Sequence, residues 1–571
     1  MRLALAPLAL IFAVSCVRAD EPDAPKAKLV VLVVFDQLRA DLIDKWSPHF
    51  GEGGFKRLQT QGAWFKNCHY PYAITATGPG HASMLTGAPP SATGIVNNEW
   101  YDRAAASEAY CAGIDRYDLV PAAIPEKIDP KDAPVKKKAK AIGTPDRLLS
   151  PTLGDVVKAA GTGKVFGVSL KDRSGILPSG KKPDGVYWFD GRFVTSTYYR
   201  DAPHKWADEF NKSKKADAFF GKEWTRFKKL DYDALAGPDD STGEGKGIGQ
   251  GVTFPHPIDG GLKEIGKKYY DALANSPFGN ELLLDFAKVC IDAEKLGQRD
   301  AADLLTVSFS SNDLIGHTWG PDSHEVLDVT LRSDAIVESL LKYLDAKVGE
   351  GKYAVMLTAD HGICPLPEFA AKHGKNAKRI PAAAFLKGCE SFLSVKYGAI
   401  QKGEDQAPTR YLEAVAGPYL YLNHRLLASK KLNPDDVAAA LAEHLRKQDG
   451  ILQVYPHAVL KAGHVGKDAI SQRVLNSFYP DRSGDLYIVM KPYHLLETRS
   501  SDVKLATGTT HGSPFEYDTH VPLLVFGPGI AGGVRVELVT PLHCASIGAH
   551  FLGTKPPADA WYGTPKTLMG K

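Results

Sequence analysis

A chain of 571 residues with 44% hydrophobic and 24% charged residues can bury a large core, which excludes a disordered or fibrous protein. Its formal charge of +3 is close to balance, so nothing global points to a nucleic-acid partner or an acidic membrane surface. Any preference for anions has to be local.

The first element in chain order is a targeting segment. Arg2, an apolar stretch over residues 3–14 and the small-residue step Val17-Arg18-Ala19 before Asp20 predict a signal peptide over residues 1–19, with a periplasmic or secreted mature protein over 20–571. The apolar stretch is too short to span a bilayer comfortably, and no later run reaches spanning length, so no transmembrane segment is expected. Lipoprotein anchoring through Cys16 is the lesser alternative. Without Cys16, the cysteines are Cys68, Cys111, Cys290, Cys364, Cys389 and Cys544. An even number in an oxidising compartment predicts one to three disulfides, with buried thiols as the other reading.

Residues 28–35, 304–309 and 353–358 are apolar, β-rich runs that read as buried parallel strands, and 164–169 and 521–526 are also strand-like. The expected fold is α/β, a single domain with a mainly parallel central sheet flanked by helices. Residues 179–280 and 365–481 are expected to be inserted cap regions, the second holding a helix over 434–448 started by Asn433. Residues 122–146 and 237–251 read as exposed loops, and the basic run 136–140 as a solvated part of the first.

Chemistry enters at the ends of these strands, where open α/β sheets bind ligands. Asp36 follows the first run. Asp313 and His317, four apart, can project from one helical face toward one ion. Asp360 and His361 are adjacent, so both can ligate only if the strand ends there in a turn, which Gly362 makes easy. A late histidine completes the set, either His511 in Gly508-Thr509-Thr510-His511-Gly512 or His520 in Asp518-Thr519-His520-Val521-Pro522. Carboxylates with imidazoles and no thiolate suit Zn²⁺ best, with Mn²⁺, Co²⁺ or Fe²⁺ as substitutes. Near them Thr77, in Thr77-Gly78-Pro79-Gly80-His81, is placed at the start of a short helix, whose free N–H groups favour an alkoxide and an incoming phosphate. A threonine hydroxyl is a poor nucleophile at neutral pH and calls for metal activation.

With these residues the chain resembles the alkaline phosphatase superfamily, and within it the secreted, monomeric PafA-type alkaline phosphatases that use threonine. The resemblance implies two Zn²⁺ ions, one held by Asp313, His317 and His511, the other by Asp36, Asp360 and His361, with Thr77 as nucleophile and metal ligand; His511 fits the family pattern better than His520. It further implies phosphate binding by Asn98 and by Lys171 and Arg173 of Lys171-Asp172-Arg173, two cations that favour a dianionic monoester. Thr77-Gly78-Pro79-Gly80-His81 lacks the nucleophile and arginine of the sulfatases. The function so implied is hydrolysis of small-molecule phosphate monoesters through a phosphothreonine, for phosphate scavenging, by a monomer. The alternatives are a nucleotide pyrophosphatase/phosphodiesterase on the same fold and, more remotely, an inactive phosphate- or metal-binding protein.

Overall fold

A computed structural model describes residues 26–124, 142–161, 163–400, 410–497 and 507–569. The expected signal peptide, Cys16 and the basic run 136–140 lie outside the described residues. In chain order the strands of the main sheet are Leu29–Phe35 (β1), Ala63–Cys68 (β2), Leu119–Val120 (β3), Val165–Ser169 (β4), Gly185–Phe189 (β5), Phe193–Ser196 (β6), Asp303–Phe309 (β7), Tyr353–Thr358 (β8), Leu523–Phe526 (β9) and Gly533–Val539 (β10). These ten lie side by side in the order β10-β2-β9-β8-β1-β7-β4-β5-β6-β3.

The apolar runs make its centre. Every residue of β1, β7 and β8 is buried, so both faces of these strands are covered, the pattern of parallel strands between helices. Burying each Val, Leu, Ile or Phe side chain here contributes roughly 1.5–3 kcal/mol. β8, β1, β7, β4 and β5 run parallel, with Leu29 opposite both Asp303 and Tyr353, and Phe35 opposite Phe309. This register brings the carboxyl ends of β8, β1, β7 and β4 level along one edge. The sheet is mixed toward its flanks: β9 is antiparallel to β8 and β2, and β6 is antiparallel to β5 and β3.

β5 and β6 lie inside the stretch expected to be inserted, yet they extend the central sheet. Their joining turn, with Gly191 at φ 72°, makes the hairpin that periodicity alone did not reveal. In the later stretch, Leu412–Ala416, Tyr419–Leu422, Ile451–Pro456 and Leu486–Met490 form a separate antiparallel sheet. One face packs on Leu393, Leu441 and Leu445, and the other carries Tyr419, Tyr421 and Tyr487 into a cluster with Ile95, Val96 and Trp100. The expected helix is present over Pro434–Leu445, with the Asn433 side chain accepting from the Asp435 N–H.

Among the described residues no disulfide is present, and of the two readings the structure agrees with buried thiols. Cys68, Cys111, Cys290, Cys364, Cys389 and Cys544 are all free and buried. They are dispersed among separate parts of the interior, Cys68, Cys290 and Cys544 in the main core, Cys111 beside Trp100 and Cys389 against the smaller sheet, and each packs as a small apolar group.

Candidate active site

Each expected ligand follows the carboxyl end of a central strand or a loop folded over it. Asp36 follows β1, Asp360 and His361 follow β8, Lys171 follows β4, and Asp313 and His317 lie on helix Ser311–Trp319, which follows β7. The structure brings Asp313, His317 and His511 together as one group of ligand atoms and Asp36, Asp313 and His361 as another. His317 Nε2 is 3.2 Å and His511 Nε2 3.6 Å from Asp313 Oδ1. His361 Nε2 is 3.5 Å from Asp36 Oδ1 and 3.3 Å from Asp360 Oδ2. His520 is elsewhere, stacked on His69.

The imidazoles are set for coordination by their other nitrogens. Nδ1 donates to Thr509 O in His317 (2.7 Å), to Gly362 O in His361 (2.9 Å) and to Thr75 O in His511 (2.7 Å). Each bond fixes the proton on Nδ1 and leaves the Nε2 lone pair facing the carboxylates. Burial, the largest cause, holds His361 and His511 below the usual imidazole range, His511 far below it with His361 and His317 adding to the effect. They are therefore neutral, as ligands need to be.

Asp36 Oδ1 and Asp360 Oδ2 are buried without hydrogen-bond partners. Burial pushes Asp36 well above the usual carboxylate range, and Asp313 and Asp360 push it further, whereas in Asp313 the neighbouring His317 and Lys171 outweigh burial and hold it well below. Orphaned carboxylate oxygens facing neutral imidazole nitrogens fit divalent cations, since a buried polar group without a partner costs about 1–3 kcal/mol or more.

Thr77 is the first residue of helix Thr77–Thr86 and is buried, its Oγ1 3.3 Å from His361 Nε2. Asn98 Oδ1 accepts from the Gly78 N–H at 2.6 Å, tying it to the same helix start. Lys171 Nζ donates to Asp36 Oδ2 (2.7 Å) and Asp313 Oδ2 (2.5 Å). Burial opposes its charge, but Asp313 and Asp36 outweigh that and keep it protonated. Arg173 is held off these carboxylates, its Nη1 donating to Tyr110 OH at 3.4 Å while Tyr110 donates to Asp172. All the expected residues except Arg173 thus join one linked set of contacts, and Arg173 stands beside it.

Sequence reasoning missed two supporting residues. Gln37, at φ 73°, donates its backbone N–H to Asp360 Oδ1 (3.0 Å) and its Nε2 to Asp313 Oδ1 (2.6 Å), linking the two metal-ligand groups. A left-handed glutamine is held only where its surroundings over-determine it, and no sequence signal marked it. His81 lies fully buried with Nδ1 2.9 Å from Thr77 O and 3.2 Å from Asp360 Oδ2, and Nε2 2.8 Å from Ser308 Oγ. Its place four residues after Thr77 was the available signal, because that spacing returns to the same helix face.

A mixed sheet with helices around it and acid and imidazole groups at its carboxyl edge is the architecture of the alkaline phosphatase superfamily. A family model described as type I phosphodiesterase / nucleotide pyrophosphatase matches residues 30–514, and the chain belongs to that family. It is 34% identical over 538 residues to alkaline phosphatase PafA of Elizabethkingia meningoseptica, covering 92% of this chain and 90% of that one. It is 32% identical to a protein of Myroides odoratus named calcium-transporting ATPase, covering 95% and 94%. The crystal structure of wild-type PafA superposes with a TM-score of 0.84 at 32% identity, covering 96% of this chain and 100% of that one. A solved variant of PafA is altered at a threonine, an asparagine, a lysine and an arginine; the threonine-to-asparagine and lysine-to-arginine intervals there are the same as those from Thr77 to Asn98 and from Lys171 to Arg173.

Proposed function

We propose that this protein is a two-zinc alkaline phosphatase that hydrolyses phosphate monoesters through a phosphothreonine at Thr77. The alkaline phosphatase relatives support the activity, and the two ligand groups support the metals. When bound, the ions balance the clustered carboxylates and supply Lewis-acid activation of oxygen nucleophile and leaving group. Thr77 gives up its hydroxyl proton as Oγ1 attacks phosphorus, the P–O bond to the leaving group breaks and that oxygen takes up a proton, and water later cleaves the P–O bond to Thr77, its oxygen going to phosphorus and one of its protons restoring the threonine hydroxyl. Asn98, placed beside the helix start by the Gly78 N–H that its Oδ1 accepts, together with the two cations Lys171 and Arg173, holds the equatorial oxygens, where charge is spread in the transition state.

One observation favours monoesters over diesters. Lys171 Nζ enters the carboxylate cluster itself, 2.7 Å from Asp36, so a fixed positive charge lies within the reaction space. A dianionic monoester presents one more charged oxygen than a diester and gains more from that charge. The remaining functional expectations, secretion, a monomeric state and phosphate scavenging, belong to the same proposal. Among the described residues no helix is long and apolar enough to cross a membrane.

The test is the ratio of kcat/KM for an aryl phosphate monoester to that for its methyl diester, on zinc-loaded protein, before and after Lys171→Ala with Arg173→Ala. Hydrogen bonds to charged groups contribute roughly 1.5–3 kcal/mol each, so a large initial ratio should fall by about 10²–10⁴. A preference for the diester in the unaltered protein would move it to the phosphodiesterase reading.

A further inference from the structure

Away from the nucleophile, β2 ends at Cys68 and the next residue, His69, pairs in an isolated antiparallel bridge with His520. Their rings stack with centroids 4.4 Å apart and planes inclined by 14°. Glu516 lies on the short helix Glu516–Thr519 immediately before His520, with Oε1 3.8 Å from His520 Nδ1. One ligand atom from each of His69, Glu516 and His520 lies within 4.8 Å of the others. This is the third such group among the described residues and the only one that shares no member with the site around Thr77.

The hydrogen bonds decide which nitrogens are available. His520 Nε2 donates to Lys66 O at 2.8 Å, so its proton is on Nε2 and its Nδ1 carries a lone pair. His69 Nδ1 is buried and has no hydrogen-bond partner. Two imidazoles and a carboxylate thus lie within reach of one another on backbones that the bridge holds together, and Glu516, mostly exposed, leaves the remaining positions to water.

We propose that His69, His520 and Glu516 form a peripheral divalent-metal site, separate from the ions at Thr77. The donor set selects its chemistry. The group offers a single carboxylate beside two imidazoles, far fewer oxygens than a hard cation takes from protein. Binding then rests on imidazole coordination, which suits Zn²⁺, Ni²⁺ or Cu²⁺ and not Ca²⁺ or Mg²⁺. A nitrogen–metal distance of about 2.0–2.1 Å requires the stacked rings to splay and the exposed Glu516 to turn inward, both side-chain rotations. The site joins two segments that the active site also uses. Tyr70 N–H donates to Thr519 O (2.9 Å), and onward from these residues the chain runs to Thr77 in one direction and back to His511 in the other. An ion here clamps the segment carrying the nucleophile to the segment carrying a ligand of the first metal group.

The test is zinc stoichiometry on the full mature chain, by equilibrium dialysis at buffered micromolar free Zn²⁺ followed by metal analysis, for wild type, Glu516→Ala and His69→Gln with His520→Gln. Glutamine at 520 can still donate to Lys66 O, and Glu516 is a surface residue, so both variants should fold. Wild type should hold one more equivalent of Zn²⁺ than either variant, and millimolar Mg²⁺ should not displace it. Equal stoichiometry in wild type and variants would overturn the site, and displacement of the additional equivalent by Mg²⁺ would overturn its assigned chemistry.

Discussion

Thr77 Oγ1 and His361 Nε2 stand 3.3 Å apart, and a threonine hydroxyl is a poor nucleophile at neutral pH, so the proposed reactivity rests on the ions that the surrounding groups would hold. Thr77→Ala should reduce phosphomonoesterase turnover to background while zinc content and phosphate binding, measured by metal analysis and calorimetry, stay near wild type; substantial residual turnover would remove Thr77 from the nucleophile's role. A second residue sets a pH dependence. Burial, reinforced by the charge of Glu325, raises Glu244 from 4.5 to about 9. The folded protein thus holds a proton there that the unfolded chain releases near 4.5. The stability this contributes is complete below 4.5 and is lost as pH rises through about 9. Glu244→Gln, which is always neutral, should lose less thermal stability than wild type between those limits, as measured by Tm in a pH series. Parallel Tm curves would contradict the buried, protonated state.

At the scale of elements, close approach of two backbones shapes the site. An added Cβ at Gly80 would lie 2.3 Å from Asp360 O and 2.7 Å from Asp360 Cβ. Neither atom can yield as a flexible side-chain tip would, so Gly80→Ala should push helix Thr77–Thr86 away from the end of β8. Displacements of about 1 Å near reacting groups cost roughly a hundredfold; kcat/KM should fall by at least about tenfold, and a change smaller than twofold would show that the helix start tolerates the shift. Gly362 illustrates what sequence could and could not supply. The expectation of a turn after Asp360 and His361 agrees with β8 ending at Thr358, but the glycine is there for room: an added Cβ would meet Tyr517 O at 2.2 Å. Strands β1, β7 and β8 were legible because burial on both faces leaves nearly unbroken apolar runs, and Asp313 with His317 because one helical turn separates them. Gln37 and the disulfide-free cysteines were not, since a left-handed backbone and the distance between two thiols are set by tertiary contacts that no local pattern encodes. The short hairpin β5–β6 and the smaller sheet were hidden by strands of four to six residues whose alternation is too brief to separate from loops.

For the whole molecule, the carboxylates Asp36, Asp313 and Asp360 are buried together, and without cations their mutual repulsion falls chiefly on Lys171 to offset. Chelating the metal should therefore abolish activity and also lower Tm, with Zn²⁺ restoring both. Ligand binding at a thousandfold excess over Kd stabilises by about 4 kcal/mol, and a loss of that order should be visible by calorimetry. An unchanged Tm on chelation would indicate that the cluster is not a structural load on the fold.

The interleaving of the sheet also bears on how the protein comes into being. β9, from residues 523–526, fills the gap between β2 and β8, and β1 has as its neighbours two strands from beyond residue 300. A nascent chain on the ribosome cannot close this sheet before residues 523–526 have been synthesised. Pairings so distant in sequence form slowly, and closure of the sheet waits for that segment. His511 reaches Thr75, two residues before Thr77, only after that histidine has been made, so a product truncated before it carries the threonine without the third imidazole of the cluster and should show no phosphatase activity in a direct assay.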